Sequence, residues 1–327
     1  MNILLICTKN KIPVTNYGGT ERVIWYLAKE LNQMRHNVTI LAAQGSSCPF
    51  ARVIPYNPKI SIREQIPQNI DIIHCQDQVD KSIQDKPHVV TVHGNFMKGK
   101  LDLNTIFVSL NHAKRYGSQS FIYNGMDWSD YGNIDLNSKR SYYHFLGKAA
   151  WRVKNVRGAI RIIKAIPEAH LKVLGGYRFN FKMGLRFTFS PKTSFYGMVG
   201  GVLKNQLLNG SKGLIFPVLW DEPFGIAIIE SLYFGAPVFG TPYGSLPELV
   251  KKDVGFLTNN QNEMIQHLIN NYNYSPKICH EYATDNFNSK LMAKRYLTKY
   301  EQVLNGYVLN NNYPEEIHNN NIYTWIK

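Results

Sequence analysis

Three shortages mark this sequence: cysteine, acidic residues through its middle, and long apolar runs. Cys7, Cys48, Cys75 and Cys279 are scattered over 327 residues with no Cys-x-x-Cys pair, which speaks against a disulfide framework or a thiolate zinc site. Nowhere do about 18 apolar residues follow one another, as a membrane-spanning helix needs. Met1–Cys7 is interrupted too soon, by Lys9 and Lys11, to read as a secretory signal. A soluble, cytoplasmic protein is the expectation. There is also no Asp-x-Asp pair of the kind that holds a divalent metal and no Gly-x-Gly-x-x-Gly turn. Gly210-Ser-Lys-Gly213 falls short of a Walker A loop.

With 44% hydrophobic residues, the chain is long enough for two cores, since domains commonly run to about 100–200 residues. Its net charge of +14 is unevenly spread. Residues 1–138 carry 14 basic and 11 acidic side chains, residues 139–215 carry 15 and 1, and residues 216–327 carry 8 and 11. A compact positive middle favours an anionic ligand such as a nucleotide diphosphate, a nucleic acid or an anionic lipid headgroup. A solvated basic face kept for solubility carries the same charge.

The most informative stretch is Asp221-Glu-Pro-Phe-Gly-Ile-Ala-Ile-Ile-Glu230, continuing Ser-Leu-Tyr-Phe-Gly-Ala-Pro-Val-Phe-Gly240. Before it, Gly213–Pro217 is short, apolar and stopped by proline, as a buried parallel strand is. After Pro223, a helix with Ile226, Ile229 and Phe234 near one face closes at Gly235, and Val238 opens another strand. Glu222 therefore falls in a loop at the carboxyl end of a strand, where open α/β sheets place ligands, and Glu230 inside the next helix. Each acid also has a plain reading, Glu222 as a partner of the helix dipole and Glu230 as a solvated helix residue.

In the first half, Asn2–Cys7 reads as a buried strand. A loop at Thr8–Tyr17 leads to Gly18-Gly19-Thr20-Glu21 and a helix to about Arg35, with Thr20 as its N-cap and Val23, Ile24, Leu27 and Leu31 inward. Paired glycines at a helix start let backbone amides approach an anion, and they are also ordinary turn formers. Further strands are expected at Val38–Ala42, Ile70–Cys75, Val89–His93, Thr105–Ser109 and Phe121–Tyr123, an alternation that argues for a parallel sheet. His93 ends one strand, placed for a site or held structurally. His74 and Asp77 end another and read as structural. The polar run Trp128–Lys139 lacks periodicity and reads as a linker.

In the second half, Tyr143–Gly147 is a strand and turn, followed by Lys148, Arg152, Lys154 and Arg157 and by a helix with Val156, Ile160, Ile163 and Ile166 inward. Cations between strand and helix are placed to neutralise a diphosphate. After a strand at His170–Gly176, the segment Tyr177–Tyr196 interleaves Arg178, Lys182, Arg186 and Lys192 with Phe179, Phe181, Phe187 and Phe189. That pattern suits single-stranded nucleic acid and equally suits amphipathic strands with one face buried. Gly244–Val250 opens another helix, whose first backbone amides could reach a phosphate or a sugar. From Ser289 the last strong helix spaces Met292, Tyr296, Tyr300 and Val303 and ends before Gly306. The Asn-rich tail beyond Asn305, with Tyr307, Tyr313, Tyr323 and Trp325, reads as a surface wrap or as partly disordered.

Glu-x7-Glu, with Phe-Gly after the first acid and Gly-x-Pro-Val after the second, resembles the donor-site signature of the retaining GT-B glycosyltransferases of family four. The likeness spans about residues 1–304. It implies an α/β protein of GT-B architecture, with two doubly wound Rossmann-like domains, 1–138 and 139–285, facing a central cleft. Residues 286–327 would form a crossing helix and tail packed on the first domain. The implied reaction moves a sugar, with retention, from a nucleoside-diphosphate sugar to a hydroxyl of a glycan or lipid-linked acceptor, with no metal and no further cofactor. Glu222 would contact the transferred sugar, Glu230 the ribose hydroxyls, and His93 the sugar from the opposite domain. Lys148, standing where the family has arginine, and Lys154 would hold the diphosphate, with Arg152 sharing the task. Gly18, Gly19, Phe224, Gly225, Gly244 and Ser245 would line the donor. Tyr123-Asn-Gly-Met-Asp127 matches a family element with Tyr123 in place of proline, Ser245 replaces a second glycine, and residues 177–196 depart from the family pattern. The implied role is assembly of a bacterial surface polysaccharide or lipopolysaccharide, in the cytoplasm or peripherally at the inner, anionic membrane surface. Nucleic acid is not an expected partner on this reading. The alternatives are a GT-B phosphorylase, a sugar-nucleotide hydrolase, or a nucleic-acid-binding protein using residues 177–196.

Overall fold

The computed structural model describes residues 1–9, 11–13, 18–76, 78–95, 98–180, 186–317 and 323–325. The chain forms two compact units, Met1–Asp127 with Phe287–Asn319, and Trp128–Asn286 with Asn320–Lys327. Asp77 lies outside the described residues. Among the described residues, no helix is long and apolar enough to cross a membrane.

In the first unit, short apolar runs form a six-stranded parallel sheet of β1 (Asn2–Cys7), β2 (Asn37–Ala42), β3 (Arg52–Pro55), β4 (Ile72–Gln76), β5 (His88–Val92) and β6 (Thr105–Phe107). Their order is β3-β2-β1-β4-β5-β6. The edge strand β3 is half-exposed and four residues long, too short to show a period in the sequence. Helix α1 (Gly19–Gln33) buries Val23, Ile24, Leu27 and Leu31. Its N-cap is Gly18, in extended backbone with no side-chain cap, so Thr20 lies in the first turn and is not the cap. The strand at Thr105 stops at Phe107 because Ser109 caps α2 (Leu110–Arg115), accepting from the His112 amide at 3.1 Å. The strand expected at Phe121–Tyr123 reduces to one bridge between Phe107 and Phe121.

The Tyr123–Asp127 element ends the first stretch of this unit. Met126 bridges Asn288, and a Cβ on Gly125 would lie 2.3 Å from the Asn288 carbonyl oxygen, so the close approach requires glycine. Asp127 pairs with Lys29 of α1 at 2.5 Å.

The second unit holds β7 (Tyr142–Leu146), β8 (Leu171–Leu174), a two-residue ladder of β9 (Phe179–Asn180) and β10 (Arg186–Phe187), then β11 (Thr193–Phe195), β12 (Ser211–Phe216), β13 (Val238–Gly240) and β14 (Gly255–Leu257). Six of these form a parallel sheet in the order β11-β8-β7-β12-β13-β14. Between them run α3 (Val156–Ala165), α4 (Gly201–Asn209), α5 (Ile226–Tyr233) and the short α6 (Leu246–Leu249), followed by α7 (Gln261–Ile269) and α8 (Pro276–Asn286). Helix α5 is buried from Ala227 to Tyr233, packed on β12, β13 and α8.

The run expected to be a linker, Trp128–Lys139, instead starts the second unit, so the boundary falls at Asp127 and not at 138. Trp128 stacks on Tyr233 at 4.2 Å between ring centroids, and Asn205 donates to the Tyr131 carbonyl. Burial of these rings outweighs the polar composition of the run. At the other end, α9 (Ser289–Leu304) belongs to the first unit. The tail expected to stay with that unit divides, and residues 323–325 join the second.

A buried histidine sits in each core. His74 bonds the Tyr300 hydroxyl of α9 at 2.8 Å and the Thr91 hydroxyl at 2.7 Å, and Thr91 bonds Tyr296 at 2.9 Å. His144 bonds the Ser211 hydroxyl at 2.6 Å. Burial pushes both imidazoles down from 6.5 to about 3. Between those values the unfolded chain binds the protons and the folded units do not, so stability present above pH 6.5 is lost as pH falls toward 3. At about 1.4 kcal/mol per pH unit per group, acidification from pH 6.5 to pH 5 should cost about 2 kcal/mol through each of these two histidines. Calorimetric unfolding across that range checks this, and a flat stability would reject the neutral buried imidazoles.

Candidate active site

The site is built on the loop after β12. Pro223 and the left-handed Gly225, φ 86°, stop the chain from continuing in extended form and set the N-cap of α5. Glu222, only 5% exposed, is ion-paired through Oε2 with the Lys154 ammonium and accepts from Trp220 Nε1 at 2.8 Å. The same ammonium lies over the rings of Trp220 and Phe216, at 4.8 and 5.3 Å from their centroids. A buried carboxylate is tolerated here because it has both a cation and a hydrogen-bond donor.

The Gly244-Ser245 turn supports this loop. The Gly244 amide donates to Asp221 Oδ1 at 3.1 Å, the Ser245 amide to the Glu222 carbonyl at 2.9 Å, and the Ser245 hydroxyl to the Phe224 carbonyl at 2.7 Å. A Cβ on Gly244 would lie 2.2 Å from the Glu222 nitrogen. The expectation that these two amides face an anion is therefore corrected. They are engaged within the protein, and the four-residue α6 adds no anion site of its own.

Seven residues beyond Glu222, Glu230 is 1% exposed inside α5. Its Oε1 accepts from Lys204 Nζ of α4 at 2.5 Å and from the Tyr131 hydroxyl at 2.8 Å. The plain reading of Glu230 as a solvated helix residue is thereby excluded.

The cations expected to grip a diphosphate lie on the turn after β7. Lys148 is exposed, with its ammonium 5.3 Å from the Trp151 ring centroid, and Arg152 is exposed at the start of a single 3-10 turn, Arg152–Lys154. Asn155 closes that turn at φ 52°. Its side chain caps α3 by accepting from the Gly158 amide at 3.0 Å and donates to the Pro217 carbonyl at 2.8 Å, tying the cation turn to the loop after β12. Glu222, Lys154, Phe224, Gly225, Gly244 and Ser245 thus come together, with Lys148 and Arg152 on the adjoining turn. Among the described residues, no three His, Cys, Asp or Glu side chains cluster as metal ligands.

In the first unit, His93 follows β5 and its Nε2 bonds Gln76 Oε1 at 2.7 Å. A cavity of about 270 Å³ at the carboxyl ends of β1 and β4 is lined by Cys7, Thr8, Lys9, Thr20 and Gln76, among others. Gly18 accepts from Arg22 Nε at 3.1 Å through its carbonyl, and Gly19 is the first residue of α1.

In the basic and aromatic segment, Phe181 and Lys182 and the Arg186 side chain lie outside the described residues. Arg178 donates to the carbonyls of Thr188 and Thr193, and Lys192 to that of Ile166. Both cations serve the fold. Phe179, Phe187 and Phe189 are exposed whereas Thr188 and Ser190 are buried, so one face is buried as expected of a strand but it is the hydroxyl face and not the aromatic one.

Sequence reasoning missed Trp220, Asn155, Tyr131 and Lys204. Trp220 had a signal in its closeness to Glu222, and Asn155 in its place just before the α3 stripe. Lys204 had none, since a lone lysine in a helix reads as solvated.

Two parallel α/β units, with a buried acid and lysine beyond a central strand of the second, are those of a GT-B enzyme. The chain belongs to the glycosyltransferases, matching the Glycosyltransferase Family 4 model over residues 17–128 and the Glycosyl transferases group 1 model over residues 130–286. Its structure is similar to AviGT4, a glycosyltransferase involved in avilamycin A biosynthesis, with a TM-score of 0.75 at 18% identity over 94% of this chain and 99% of that one. A glycosyltransferase from Rickettsia africae matches at TM-score 0.71 and 17% identity over 93% and 98% of the two chains. Anabaena HepE in complex with UDP and glucose matches at 0.66 and 16% over 92% and 100%. No curated protein matches the chain.

Proposed function

We propose that this glycosyltransferase moves a sugar, with retention, from a nucleoside-diphosphate sugar to a hydroxyl of a glycan or lipid-linked acceptor, without a metal, in the assembly of a bacterial surface polysaccharide or lipopolysaccharide. The observation that carries this reading is the pair of buried acids in Glu-x7-Glu spacing, Glu222 held by Lys154 and Glu230 by Lys204. HepE in complex with UDP-glucose and starch synthase IV bound to ADP and acarbose support a nucleotide-linked donor.

On this reading Glu222 orients the hydroxyls of the transferred sugar, Glu230 the ribose, and Lys148, Arg152 and Lys154 offset the charge that grows on the departing diphosphate. The bond from the anomeric carbon to the phosphate oxygen breaks, and the acceptor oxygen bonds that carbon on the same face. Its proton passes to the leaving diphosphate.

A thermal-shift screen with uridine, guanosine and adenosine diphosphate sugars identifies the donor, since a matched donor at about 100 times its Kd should add about 2.7 kcal/mol of stability. With it, transfer should persist in excess EDTA and give the retained anomer by NMR. Stabilisation by none of the donors would reject the donor class. Activity lost in EDTA and restored only by Mn²⁺ or Mg²⁺ would reject metal independence, and an inverted product would reject retention.

A further inference from the structure

The last described residues of the chain belong to the second unit, and each is fastened to it, Tyr323 on the loop that carries Glu222. The Tyr323 hydroxyl donates to Asp221 Oδ2 at 2.5 Å. Thr324 is held at both backbone groups by Tyr243, whose hydroxyl accepts from its amide at 3.1 Å and donates to its carbonyl at 2.7 Å. The rings of Tyr243 and Tyr323 meet edge-on at 5.3 Å. Trp325 donates from Nε1 to Gln261 Oε1 at 3.0 Å, at the first residue of α7, and packs against the second unit's core. Three consecutive residues with side-chain, backbone and ring contacts form a built anchorage, in contrast to an Asn-rich tail resting loosely on a surface.

The role of the anchorage follows from Asp221. This carboxylate is 7% exposed and precedes Glu222 directly. One of its oxygens staples the loop to the Gly244 amide, and the other receives Tyr323. A hydrogen bond to a charged, buried acceptor is stronger than one between neutral groups, so the tail bears on the staple that sets the position of the Glu222 backbone.

We propose that Tyr323–Trp325 is a strap over the second unit, and that Tyr323 is a positioning residue acting through Asp221 to hold the Glu222 loop. The inference rests on the reading above that Glu222 orients the transferred sugar. Trp325 and Tyr243 dock the strap, and the Tyr323 hydroxyl transmits its position to the loop.

The test uses the full chain with Tyr323→Phe, which keeps the ring contact with Tyr243 and removes the hydroxyl. Turnover with the matched donor should fall about tenfold, as for loss of a hydrogen bond to a charged group, while Kd for the free nucleoside diphosphate stays within about twofold. The Gly244 amide should exchange with solvent faster, and Trp325→Ala should reproduce both effects by releasing the strap. In an Asp221→Ala background, Tyr323→Phe should have no further effect on turnover, because the two act as one unit. Unchanged exchange and turnover, additive effects in the double variant, or parallel falls in turnover, nucleotide affinity and melting temperature would each overturn the proposal. If the wild-type protein binds no sugar nucleotide, the donor reading fails, and Gly244 exchange still decides whether the strap holds the loop.

Discussion

Glu222→Ala should lower sugar transfer by about a hundredfold or more while leaving affinity for the free nucleoside diphosphate nearly intact. The side chain is buried and has two partners, the Lys154 ammonium and Trp220 Nε1, which fix its direction. On the proposed reading its removal takes away orientation of the sugar, an effect that appears in the chemical step. Lys154 keeps its contacts with the rings of Trp220 and Phe216, so the cation proposed for the diphosphate remains. Calorimetry with the nucleoside diphosphate, beside turnover with the matched donor, separates the two quantities. Wild-type turnover would make the acid a structural partner of Lys154 alone. An equal loss of nucleotide affinity and turnover would reassign it to the nucleotide.

Glu230→Ala should act on both stability and binding. Lys204 is buried with Glu230 as its ion-pair partner, and stranding one charge of such a pair costs about 3–5 kcal/mol. If the carboxylate also receives the ribose hydroxyls, nucleotide and sugar-nucleotide binding should weaken together, by about 1.5–3 kcal/mol. The double variant Glu230→Gln with Lys204→Met separates the effects, since exchanging a whole buried pair for neutral residues is often close to neutral. Urea unfolding should show stability largely restored in the double variant, and calorimetry should show nucleotide affinity still low. If affinity recovers with stability, Glu230 is a core residue and the ribose assignment fails. Wild-type stability in Glu230→Ala would show that the pair is not a buried one in solution.

What could be read along the chain was what neighbours in sequence decide. The apolar run of β1, the inward stripes of α1 and α3 and the helical spacing of α9 follow from short-range periodicity. The break at Pro223 and Gly225 follows from the backbone preferences of those two residues, so Glu222 was placed in a loop after a strand before its partners were known. Two readings failed where a distant partner outweighed local character. The polar run from Trp128 became part of the second unit because Trp128 and Tyr131 find Tyr233 and Glu230 there. The Gly244 and Ser245 amides, placed at a helix start, were taken by Asp221 and Glu222. The sequence alone thus determined two α/β units and the places of Glu222, in the loop after a strand of the second, and Glu230, in the helix that follows. The tertiary structure alone decided that Lys154 answers Glu222, that Lys204 answers Glu230, and that Tyr323 reaches Asp221. The physical reason is that strands and helices are selected by interactions over a few residues, whereas a buried charge takes whichever opposite charge or donor the folded backbone brings within about 3 Å of it.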